Sequence, residues 1–339
     1  MQLNEIWFLI VGFLFIGYFV LDGFDFGVGM SLPFLGKDDT DRRVLINTIG
    51  PVWDLNETWV IVAGASLFAA FPEWYASLFS GFYLPLLLIL AALIARGVAF
   101  EYRGKGHTIG ANEVRWKATF DWMIVIGSAL PALLWGVAFA NIVQGVPLNA
   151  DHIYTGNLFT LLNPYGLLGG LVTLTLFWTH GLMFIALKTE GDIKERASKL
   201  GTKVGIATTL LAATFLIWTL VAHFSVLGFI LSAIAAATLI AGLAANFFKR
   251  EGIAFFLIVI TIITAVGSLF AALFPNVFPS TTDAAFSLTI DNASSSQYTL
   301  TVMTWVAVFM IPLVLLYQGW TYWVFRNRIS RKSIPAGAH

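Results

Sequence analysis

The sequence predicts an all-α polytopic membrane protein with nine transmembrane helices, on three observations. Hydrophobic residues fill 58% of the 339 positions and charged residues only 11%, against about 25% charged in a soluble domain. Nine apolar runs are long enough to cross a bilayer, which takes about 20 residues each. All nineteen Lys and Arg sit at alternate connections between those runs, or after the last.

The spans are predicted at 5–34, 55–72, 76–100, 116–145, 164–188, 204–223, 226–248, 252–275 and 299–325, in one membrane domain over 1–339. The opening MQLNEIWFLI has no basic stretch and no small-residue cleavage site, so it reads as the first span, not a removable signal. Lys37, Arg42 and Arg43 follow span one. Arg96, Arg103, Lys105, Arg115 and Lys117 lie around the junction of spans three and four. Lys188, Lys194, Arg196, Lys199 and Lys203 join spans five and six, Lys249 and Arg250 join seven and eight, and Arg326, Arg328, Arg331 and Lys332 follow span nine. Basic connections stay cytoplasmic. The N-terminus is therefore predicted outside and the C-terminus inside, which requires an odd number of crossings.

The connections without Lys or Arg have their own character. Residues 146–164 have room for a short interfacial helix. The Ser- and Thr-rich stretch 275–297 is predicted to be an ordered external loop. Trp and Tyr recur near span ends (Trp53, Trp59, Trp74, Tyr75, Trp116, Trp122, Trp320, Tyr322, Trp323) as an aromatic belt does. The small residues of SAIAAATLIAGLAAN suit close helix packing.

Acidic residues within this apolar frame are the functional candidates. Asp22 and Asp25 stand three apart in LDGFDFGVGM, on one helix face. Either they snorkel or cap a break, or they serve a function or a buried ion pair. About 15 Å of helix separates Asp25 from the charged loop, too far for a short Asp to snorkel. The glycines beside them either admit a neighbouring helix or loosen this one. Asp54 and Glu57 repeat the spacing where span two begins. Asp54 reads equally as an N-cap or as part of a proton route. Asn47, Thr48 and Asn56 add the hydrogen-bonding groups that a hydrated proton opening needs. Arg96, near the end of span three, is expected to pair with Asp25 or Asp22.

Several classes are excluded. There is no cysteine, hence no disulfide, thiolate metal site or iron–sulfur cluster. No phosphate-binding glycine loop, nucleophile elbow or metal-spaced His/Glu cluster occurs. The basic groups mark topology, not a nucleic-acid surface. Of five histidines only His180 falls within a span; His107 and His339 belong to cytoplasmic segments, and His152 and His223 lie at the outer face. Several haems would need paired axial ligands at matching depths. His180 therefore reads as a packing residue, and no metal is expected in this chain.

The runs LDGFDFGVGMSLPFLG, DRRVLINTIGPVWDLNETWV and LFSGFYLPLLLILAALIARGVAFEYR resemble subunit II of the cytochrome bd quinol oxidases. GVAFANIVQGVPLN, LLNPYGLLGG, SLTIDNASSSQYTLTVMTWVAV and PLVLLYQGWTYWVFRNRI resemble the same family in the same order. The resemblance implies two four-helix bundles and one peripheral helix in a bacterial cytoplasmic (inner) membrane. It implies a partner, subunit I, that carries two b-type haems and one d-type haem, oxidises quinol and reduces dioxygen. A small single-span accessory subunit occurs in some members. Carried over by position, the resemblance puts Asp54 in a proton route toward the subunit interface, with Glu57, Asp25 and Asp22 as further acids near it. It puts Trp59 on a dioxygen path and makes Asp25 and Arg96 a buried charged pair. Catalytic residues are expected only in the partner. The competing reading is a proton-coupled transporter, which also uses intramembrane carboxylates. Transporters pair interrupted helices about a midplane site, whereas these carboxylates cluster in the first part of the chain.

Overall fold

A computed structural model describes residues 2–106, 110 and 112–334. His107 and His339 lie outside the described residues. Among those described, eight helices are long and apolar enough to cross a membrane. The first, α1 (Leu3–Leu35), runs unbroken through both aspartates and their glycines. Its 33 residues give a length of about 50 Å, more than the ~30 Å hydrocarbon core.

The predicted loop after α1 contains a helix, α2 (Asp39–Ile49), N-capped by Asp38, whose side chain accepts from the Asp41 amide. Next comes α3 (Trp53–Ala70), the predicted second span. It is helical over its whole length but is not among the eight, because Asp54, Asn56 and Glu57 dilute its apolar character. Its N-cap is Val52, so the capping role anticipated for Asp54 is corrected: Asp54 lies inside the first turn.

The third span, predicted to begin at 76, is corrected to begin at Tyr83. A separate helix, α4 (Pro72–Gly81), precedes it, and the chain bends at Phe82 before α5 (Tyr83–Tyr102). Pro72 suits a first turn, and Pro85, with no N–H to donate, sits in the first turn of α5, where no intrahelical donor is needed. There follow α6 (Glu113–Gln144), the one-turn α7 (Leu158–Leu161), α8 (Pro164–Lys188), α9 (Gly191–Ala222), α10 (Val226–Phe247), α11 (Glu251–Leu273) and α12 (Gln297–Val324). The start of α9 precedes the predicted 204 because its charged first turns continue the helix beyond the apolar stretch.

Helix α1 packs against α3, α6, α8 and α11. Glycine sets the closest approach. A Cβ at Gly27 would lie 2.1 Å from the Phe177 carbonyl oxygen of α8, and one at Gly181 would lie 2.4 Å from Gly27 Cα. The glycines of α1 thus admit a neighbour and do not loosen the helix. Gly127 of α6 likewise brings α5 close, where a Cβ would lie 2.8 Å from Arg96 Cβ. Helices α8, α9, α10 and α11 pack on one another in a ring. By contrast, α12 touches only α1 and α3 at length and leaves most of its apolar surface exposed.

The two ends of the molecule differ. At one, Asp39 meets Arg103 and Lys117, Asp121 meets Arg42 and Arg103, Asp41 meets Arg196 and Arg331, and Glu251 meets Lys194 and Arg328. At the other, the 275–297 stretch is ordered around a short hairpin, β1 (Asn276–Phe278) and β2 (Leu288–Thr289). Asn4 donates to Asp291 at 2.7 Å, the Ser295 amide to the Ala70 carbonyl at 2.8 Å, and the Val146 amide to the Pro279 carbonyl at 3.0 Å.

Candidate functional site

The acids of α1 face inward because glycine lets α8 and α6 close over that helix. Asp22, Asp25 and Arg96 are all fully buried. Arg96 reaches across from α5 and donates from Nη2 to Asp22 Oδ1 at 2.6 Å. The same nitrogen lies 3.7 Å from Glu57 Oε2 on α3, and the guanidinium carbon sits 4.4 Å over the Phe26 ring. Three helices and an aromatic face therefore share one cation. The Arg96–Asp25 pair implied by the family resemblance is corrected to Arg96–Asp22: the guanidinium bonds Asp22, and Asp25 bonds Asn56 of α3 instead.

Asp25 is held from the other side. Asn56 Nδ2 of α3 donates to Asp25 Oδ2 at 2.8 Å and to the Leu21 carbonyl at 3.3 Å. The Asn56 carbonyl oxygen in turn accepts from Gln318 Nε2 at 2.8 Å and from the Tyr322 hydroxyl at 2.7 Å, both on α12. Asp25 Oδ1, Arg96 Nε and Arg96 Nη1 are buried without a hydrogen-bond partner among the described residues. Buried polar atoms without a partner call for an explanation, such as an ordered water or a functional role.

Asp54 stands apart from this cluster, exposed on the first turn of α3, one turn from Glu57. Glu57 is the intermediate member, with its side chain 18% exposed and its carboxylate facing Arg96. Trp59 is buried between α1 and α12; its Nε1 lies 3.5 Å from Gln318 Oε1, and its ring fills the space above Gly17. Trp59 and Trp74 therefore leave the anticipated aromatic belt and join the interior, and Tyr322 is half-buried with its hydroxyl on Asn56.

Sequence reasoning missed Gln318 and Tyr322. Their only local signal was polarity within the apolar YQGWTYW. The structure brings them to Asn56 from 262 and 266 residues away.

His180 is packed. Its Nε2 lies 3.0 Å from the Val20 carbonyl, and the Phe255 ring stacks on it at 4.8 Å. No group of three His, Asp or Glu able to hold a metal occurs among the described residues.

Asp22, Asp25 and Glu57 thus lie around one guanidinium in an apolar interior, where an unpaired carboxylate is costly. Asp54 lies outside this cluster, and Asp22 and Asp25 are its fully buried members.

The family model described as "Cytochrome bd terminal oxidase subunit II" matches residues 3–325. A protein of Bacillus subtilis (strain 168) named "Cytochrome bd ubiquinol oxidase subunit 2" is 41% identical, over 98% of this chain and 98% of that protein. The "Cytochrome bd-I ubiquinol oxidase subunit 2" of Escherichia coli (strain K12) is 40% identical, over 99% and 98%. A chain in "The structure of bd oxidase from Geobacillus thermodenitrificans" superposes with a TM-score of 0.77, covering 96% of this chain and 99% of that one. At 16% identity, that likeness speaks to fold alone.

Proposed function

This chain belongs to the cytochrome bd terminal oxidase subunit II family, and from that premise we propose that it is the subunit that carries protons toward haems held by its partner. It is an integral membrane protein and a subunit of a quinol oxidase, an oxidoreductase complex. The partner is subunit I, and in this reading it holds two b-type haems and one d-type haem, oxidises quinol and reduces dioxygen. The membrane is the bacterial cytoplasmic membrane, and a small single-span accessory subunit completes some complexes. Family membership displaces the transporter reading.

Nine crossings, a cytoplasmic C-terminus and two four-helix bundles with α12 peripheral belong to the same proposal. Ion pairs tie the basic connections together at one end, which supports a common cytoplasmic face. Helix α3 starts beside Asp25 and ends at the Ala70 carbonyl, bonded to the opposite loop, which supports a full crossing.

One observation carries the proton role: the buried Arg96 meets Asp22 and Glu57 beside a third acid, Asp25, that is fully buried and held by Asn56. An exposed Asp54 on the apolar body is costly toward lipid and suits a face covered by the partner. From there Glu57 leads inward to Asp22 and Asp25. Trp59, with no ionisable group, fits the proposed dioxygen path instead.

The test uses the complex purified with its native partner. Asp54→Asn is expected to slow oxygen consumption severalfold while the reduced-minus-oxidised haem spectrum is retained. Unchanged turnover removes Asp54 from the route, and a colourless preparation removes the oxidase reading altogether.

A further inference from the structure

Resting on the proton role just proposed, we infer that Asp25 has its own water inlet at the basic end, separate from Asp54 and roofed by the C-terminal segment. A cavity of about 540 Å³ opens there between α2, α8, α11 and α12, lined by Asn47, Thr48, Lys188, Phe255, Tyr322 and Phe325 among others. One water needs only ~15 Å³ of such space together with polar partners. Asn47, the Lys188 ammonium and the Tyr322 hydroxyl supply partners on the wall.

Tyr322 forms the inner boundary. It lines the cavity and donates to Asn56, which donates to Asp25. One hydrogen-bonded layer thus separates the cavity from a buried carboxylate whose Oδ1 has no partner among the described residues. An amide does not relay protons, so Asn56 and Tyr322 are positioning residues. Their rotation away from each other joins the cavity to Oδ1. A hydronium ion there gives its proton to Oδ1, forming the O–H bond and leaving one water.

The roof is residues 325–331. Lys188 donates to the carbonyl of Phe325 and, at 2.9 Å, to that of Asn327. The Ile329 amide donates to the Lys188 carbonyl at 2.8 Å. Arg331 then clasps Asp38 and Asp41 at the start of α2, outside the cavity, at 2.6 and 2.7 Å. These contacts hold a polar segment across the mouth of the cavity without filling it.

The chain has no cysteine, so a single introduced thiol in the whole complex reports on this cavity against the unsubstituted complex. Thr48→Cys, buried within the wall, and Asn47→Cys, at its rim, are treated with the water-carried reagent methanethiosulfonate ethylsulfonate. Each is compared with its own untreated sample. Both thiols are expected to be modified, with oxygen consumption falling severalfold and the haem spectrum unchanged. Tyr322→Phe is expected to lower turnover with the spectrum kept. Failure to modify either thiol, or modification without loss of turnover, overturns the inlet. If Asp25→Asn still slows turnover in that case, the proton role stands and only this route falls. If Asp25→Asn has no effect, the role of Asp25 falls with it.

Discussion

Arg96 and Arg331 each meet two carboxylates, yet their surroundings oppose one another. Arg331 lies 53% exposed at the basic end, among groups where cations match or outnumber acids; Asp41 alone takes both Arg331 and Arg196. Arg96 is fully buried, and around it acids outnumber cations. The same residue types serve two purposes. In water, surplus charge costs little, so the end network can fasten connections together. In the apolar interior, surplus charge is costly, so it is the centre and not the end network on which the proposed proton role rests.

The widest gap between the two regions should appear on removing the cations. Arg96→Ala leaves Asp22 buried and unpaired, a loss of roughly 3–5 kcal/mol, and should abolish recovery of the assembled complex. Normal yield would show that the centre is not held by charge. Asp22→Asn keeps Arg96 opposite Glu57, so the complex should assemble at reduced yield, above that of Arg96→Ala in parallel purifications. Equal yields would show that Glu57 gives Arg96 no support.

Arg331→Ala should change stability little, because exposed pairs are weak and Arg196 still holds Asp41. Thermal unfolding should shift little, and less still in 1 M salt, where screening acts within about 3 Å. A large shift would make the end network as stringent as the centre.

The smallest effect is that of pH on this end. The Asp41 amide and Arg331 hold the Asp38 carboxyl below its ordinary value. Burial alone would raise Asp39, but Arg103 and Lys117 outweigh it and leave it lowered. A depressed carboxyl adds stability above its unfolded-state value, and this is lost as pH falls through the folded-state value. Melting temperature should therefore hold from neutrality to mild acid and drop only below the ordinary carboxylate range. Asp39→Asn should flatten that drop, and an unaltered acid limb would exclude its part in it.

The fold was legible wherever a rule acts on neighbours in sequence. Apolar runs located α6, α8, α10 and α11 within a few residues. The polar 275–297 stretch emerged as an ordered loop. Helix α2 stayed hidden because its charged surface shows no apolar run, and the bend at Phe82 because the flanking sequence is apolar on both sides. Asp22, Asp25, Glu57 and Arg96 stood out as polar residues in an apolar setting, and they do converge. Asp54 stood out equally and does not join them, because one helical turn separates the exposed start of α3 from its buried face.

By itself the sequence determined that the chain lives in a membrane, that its basic residues gather on one side, and that a few acids occur where apolar residues prevail. Those facts follow from the cost of transferring each residue into hydrocarbon, which needs no knowledge of neighbours. Only the tertiary structure decided that Arg96 takes Asp22, leaving Asp25 to Asn56, and that Gln318 and Tyr322 of α12 complete that contact. Such choices depend on side-chain distances of a few ångströms between helices far apart in the chain, set here by glycines that let α1, α5, α6 and α8 approach.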